Sequence, residues 1–96
     1  MHNDHDIFIQ AIKSSKKILL TYYEEELNLY LTRLCIPMDY GNPDSKSDSD
    51  YYSFWVEYAQ KGERMLSLHT SQIKYMNISD EIFNPEDFEI PQKDNN

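Results

Sequence analysis

Ninety-six residues, 40% hydrophobic and 27% charged, have the length and make-up of one small soluble domain. A chain this short buries about 60–65% of its unfolded surface, enough for one core but not for a deep, separately built catalytic cavity. The net charge of -8 disfavours sequence-blind binding of nucleic acid through phosphate neutralisation, while leaving room for a local basic site.

The single cysteine, Cys35, excludes an intrachain disulfide. No apolar run reaches the length of a membrane span, and the start, Met1-His2-Asn3-Asp4, lacks the features of a signal peptide. A cytoplasmic protein with no membrane partner is expected.

Residues 4–13 read as a short amphipathic helix, with Ile7, Phe8, Ala11 and Ile12 on one face. Asn3 or Asp4 can cap it, and Lys13, Lys16 and Lys17 sit at its favourable end. Ten residues are too few for an isolated helix, so it must pack on something. Residues 17–23 then read as a strand, and Glu24, Glu25 and Glu26 as a charged turn. Residues 27–36 form a second strand by alternation. Leu27, Leu29 and Leu31 share one face, Asn28, Tyr30 and Thr32 the other, and Pro37 is expected to end it.

Residues 39–50 are polar and rich in Ser and Asp, which predicts a loop. They lack the glycine placement and terminal glutamate of an EF-hand, which argues against calcium. The next run, residues 51–58, holds five aromatics in eight positions, including the only tryptophan. Side chains of this type fit a pleated, half-buried strand.

A turn on Gly62 leads to a fourth strand over 64–69. Thr70 or Ser71 can cap a short helical turn near Gln72 and Ile73, and 74–78 reads as a closing strand. From Ser79 the chain turns acidic, with Asp80, Glu81, Glu86, Asp87 and Glu89. The expected organisation is one domain over 1–78 and an acidic tail over 79–96. The order predicts a mainly β fold, a small SH3/Sm-like five-stranded antiparallel barrel with an N-terminal helix. Closure suits this size because it removes strand edges. A ubiquitin-like α+β roll is the competing architecture.

These pieces resemble the WYL domain, an SH3/Sm-like barrel of bacterial transcriptional regulators and CRISPR-associated accessory proteins. The resemblance spans residues 8–78. It rests on Ala11-Ile12 closing the helix, Tyr22-Tyr23 ending the first strand, and Arg33, Cys35 and Pro37 at the family's spacing. Arg64, Leu66 and Leu68 match the fourth strand, and Ile73 follows. The triplet that names the family falls on Ser53-Phe54-Trp55, which differs from it at each position. The usual ending after the fourth strand becomes Leu68-His69-Thr70-Ser71-Gln72-Ile73, two residues longer and without its arginine. No helix-turn-helix precedes the domain, so promoter reading is not expected.

The resemblance implies that Arg33 and Arg64 line a basic concave site for an anionic ligand, a nucleotide or single-stranded nucleic acid. A guanidinium fork suits phosphate, and Tyr22, Tyr30, Phe54 and Trp55 are candidate stacking partners. Plainer readings are open: Arg33 can pair with Glu24, and Arg64 can flank a hairpin turn. Tyr52, Phe54, Val56 and Tyr58 share one strand face and are expected in the core. Trp55, on the face of Tyr51, Ser53 and Glu57, is the better candidate for an exposed platform or interface.

His2, Asp4, His5 and Asp6 lie at a terminus and converge only if a helix forms, so no metal is expected. Cys35 and His69 lack an orienting third group. No Walker loop, nucleophile elbow or zinc spacing occurs, so neither an enzyme nor a cofactor is expected. The leading expectation is a ligand-sensing or accessory module read out by a protein partner. The alternative is an acidic interaction or inhibitory module, its 44–50 loop and tail engaging a basic protein. Edge strands or Trp55 also allow a homo-oligomer.

Overall fold

The computed structural model describes residues 2–41, 51–57 and 64–87, without the side chain of Arg64. Most of the Ser/Asp-rich loop (42–50), the Gly62 turn, Tyr58 and the end of the acidic tail (88–96) lie outside the described residues.

Helix α1 runs His5–Ser14 and is followed by strands β1 (Lys16–Glu24), β2 (Leu29–Gly41), β3 (Tyr51–Val56) and β4 (Arg64–His69). A 3-10 turn at Thr70–Gln72 leads into β5 (Ile73–Ile82). The five strands form one antiparallel sheet in the order β4-β3-β2-β1-β5. Among the described residues no pairing joins β4 to β5, so the sheet is unclosed. No described helix is long and apolar enough to cross a membrane.

The core lies on the side that α1 covers. Ile18, Leu20 and Tyr22 of β1, Cys35 of β2, Tyr52, Phe54 and Val56 of β3, Leu68 and Met76 pack with Phe8 and Ala11. The Phe8 ring stands edge-on to Tyr40, Tyr52 and Phe54, with centroids at 5.9, 5.0 and 5.5 Å. The expected core face of the aromatic strand is therefore the observed one from Tyr52 to Val56.

Asp4 sits at the helix N-cap, but its carboxylate does not cap α1. It accepts instead from the Met76 amide at 2.8 Å. His2 Nε2 donates to the Ile73 carbonyl at 2.8 Å, and His5 Nδ1 meets the Tyr52 hydroxyl at 2.9 Å. The polar N-terminal side chains thus tie the helix to β5 and β3.

Three sequence expectations fail at element ends. Pro37 does not end β2, which continues to Gly41. It pairs with Phe54 beside a register shift, and β1 pairing has already stopped at Cys35. A proline is tolerated where only one neighbour strand remains and a bulge absorbs the missing N–H. Leu27 and Leu29 do not share the core with Leu31. They are 57% and 45% exposed because they lie at the tip of the β1–β2 hairpin, beyond the point where β3 begins to pair. Finally, β5 passes the expected end at Ile78 and runs to Ile82, and Phe83 is buried beyond it.

Phe83 helps build a second, smaller core on the opposite sheet face with Ile36, Met38 and the half-buried Trp55. Its amide donates to the Ser15 carbonyl at 2.9 Å. On that face Lys17 reaches Glu57 at 3.0 Å and Glu81 at 3.6 Å. The hydrogen bond to Glu57 raises the Lys17 pKa above its ordinary value. The resulting stability is present below the unfolded lysine pKa, near 10.5, and is lost as pH rises through the higher folded value. In urea titrations from about pH 9 to about pH 11.5, wild type should therefore lose more stability than Lys17→Met. Parallel losses would remove the latch.

Candidate functional site

Strand register sorts the six candidate residues between the two faces of the sheet. Leu20 pairs with Arg33, and Tyr22 with Leu31. Leu20 and Tyr22 are core residues, so Arg33 lies on the core-side face and is a diagonal neighbour of Tyr22. Such diagonal positions are about 7–8 Å apart, within reach of long side chains. Arg64 pairs with Val56, which pairs with Cys35, so its position belongs to the same face two strands away.

Tyr22 is 1% exposed, and its hydroxyl oxygen is buried with no hydrogen-bond partner. The Nε of Arg33 is likewise buried and unpartnered, although the residue as a whole keeps partial exposure. Leaving such a group unsatisfied costs about 1–3 kcal/mol, and native proteins keep few of them. The expected Arg33–Glu24 ion pair does not form: no carboxylate among the described residues is within salt-bridge distance of Arg33.

The Cys35 thiol marks the same region. It donates to the Arg33 carbonyl at 3.6 Å. Burial pushes its pKa up to about 12, against the opposing pull of the Arg33 charge. A thiol so protonated is a poor nucleophile. In the native protein near pH 8, Cys35 should react with iodoacetamide at least about 100-fold more slowly than in urea. Equal rates would place the thiol at the surface.

The other three candidates lie elsewhere. Phe54 is fully buried against Phe8, beneath the helix. Tyr30 is 55% exposed on the opposite sheet face, edge-on to Tyr23 at 5.4 Å and under the Lys74 ammonium at 5.0 Å. Trp55 is on that face too, packed in the second core rather than standing free. The structure therefore makes Tyr22 and Arg33 neighbours, sets the backbone position of Arg64 two strands away from Arg33, and leaves Tyr30, Phe54 and Trp55 apart from them.

Sequence reading missed Lys74. It is the extra residue of a bulge, because Thr21 pairs with Tyr75 and Tyr22 with Ile73. Bulges re-aim side chains, and nothing in the sequence signals this one. A cleft of about 420 Å³ lies nearby, between His2-Asn3-Asp4 and the β4–β5 connection, and none of the six candidates lines it. No family model, curated protein or solved structure matches this chain.

Proposed function

We propose that the chain is a non-catalytic, WYL-like ligand-sensing or accessory module, cytoplasmic and built on an Sm-like barrel. It holds an anionic ligand, a nucleotide or a stretch of single-stranded nucleic acid, at Arg33 and Tyr22. Arg64 supplies the second cation, and a larger protein or complex reads the occupancy. The strand order and the 3-10 turn between β4 and β5 support the barrel reading. The observation that carries the ligand reading is the pair of unpartnered buried polar atoms, Tyr22 Oη and Arg33 Nε, on one face. An oxyanion satisfies both, accepting from the guanidinium and from the phenol, and charge-assisted bonds of that kind are the strong ones.

The test is thermal melting with mononucleotides and with short single-stranded oligonucleotides, at low and moderate salt. An upward shift is expected in wild type and none in Arg33→Ala/Arg64→Ala. A shift that persists in the double variant removes the site. A protein complex lost at high salt, with no nucleotide binding, would instead favour the acidic interaction module.

A further inference from the structure

Tyr22 Oη and Arg33 Nε are both shut off from solvent. Strand register sets what surrounds them. Tyr22 pairs with Leu31 on one side and with Ile73 on the other. In the adjacent row of the same face, Leu20 stands between Arg33 and Met76. Leu20, Tyr22, Ile73 and Met76 are buried, and Leu31 packs against them. In these two rows the only polar side-chain groups are the phenol and the guanidinium. Of the two residues, Arg33 alone keeps partial exposure, so entry is from its side.

A phosphate inside a nucleic-acid strand carries two ester arms and two free oxygens. Bringing one of those oxygens below the surface drags both sugars against apolar walls, where their polar groups lose water and gain no partner. A phosphate at a chain end carries one arm, three free oxygens and about -1.5 to -2 charge at pH 7. It can enter end-on and leave its arm outside. The base meets the same obstacle as the sugars, because its polar edges find no partner among Leu20, Leu31, Ile73 and Met76. Nor does a ring offer it a platform at this site. Tyr22 is 1% exposed, Phe54 is fully buried beneath the helix, and Tyr30 and Trp55 belong to the other face.

We infer that the site takes a terminal phosphomonoester rather than an internal phosphodiester, and that it does not read the base. This rests on the anion reading of Arg33 and Tyr22 and narrows its ligand to a mononucleotide or a phosphorylated strand end. The phosphate oxygens accept from the Arg33 Nε–H and from the Tyr22 hydroxyl, both of which can donate.

Titration calorimetry with short oligothymidylates phosphorylated at the 5′ end, at the 3′ end or at neither tests it. The unphosphorylated strand is made one nucleotide longer, so that total charge is nearly matched. At least one phosphorylated form should bind at least about tenfold more tightly than the unphosphorylated strand. Replacing thymine by adenine should change the affinity by less than about threefold. Tyr22→Phe, which removes one oxygen atom, should shrink the preference for the phosphorylated end, and Tyr22→Phe/Arg33→Met should abolish it. Equal affinity with and without a terminal phosphate, lost in the double variant, would overturn the inference and leave the anion site standing. A base preference above about tenfold that the double variant loses would do the same. Binding that the double variant retains, or no binding of any strand by wild type, would overturn both.

Discussion

Phe8→Ala is expected to cost about 3–5 kcal/mol, the range for emptying a fully buried aromatic site. The ring is inaccessible to solvent and is the one α1 side chain that meets Tyr40, Tyr52 and Phe54 together. A domain of this size has about 5–10 kcal/mol of stability in total, so the variant should lose a large fraction of it. Phe8→Leu keeps most of the volume and should cost less than half as much. Leu27→Ala, at the exposed hairpin tip, should stay within about 0.5 kcal/mol of wild type. Urea denaturation separates the three. A small loss for Phe8→Ala would mean that the helix does not seal this end of the core.

The second large effect has the opposite sign. Tyr22→Phe removes a hydroxyl that is buried without a partner, and Arg33→Met removes an unpartnered Nε while keeping an apolar stem. Replacing an orphaned polar group by an apolar one of similar shape relieves its desolvation penalty. The ligand-free double variant should therefore be more stable than wild type by about 1–3 kcal/mol. Proteins often carry such a deficit at the place where they bind something, and stabilising it away costs function. A double variant less stable than wild type would show that both groups are already satisfied, and the reason for expecting a ligand there would vanish.

Much of the fold is legible in residue alternation, and the misreadings have physical causes. Tyr52, Phe54 and Val56 fall on the core face because a two-residue period leaves no other face for three large side chains. The same period separates Tyr30 from Arg33, and Trp55 from Phe54, so parity alone precludes a single cluster of all four. The Leu27–Leu31 alternation gives the correct period but an incomplete face, because β3 does not extend alongside the hairpin tip. The end of β5 reads as tail because Asp80 and Glu81 are charged. One of them is a latch for Lys17, and Phe83 beyond them is buried. The bulge at Lys74 and the second core around Trp55 depend on long-range register, which no local pattern encodes.

On our proposal, Arg33 and Tyr22 stay unsatisfied so that an anion can complete them. Titration calorimetry with a short single-stranded oligonucleotide, run on wild type and on Tyr22→Phe/Arg33→Met, decides it. Binding by wild type, with none by a double variant that melts at a higher temperature, is the predicted result. Equal binding by both proteins, or by neither, would contradict it.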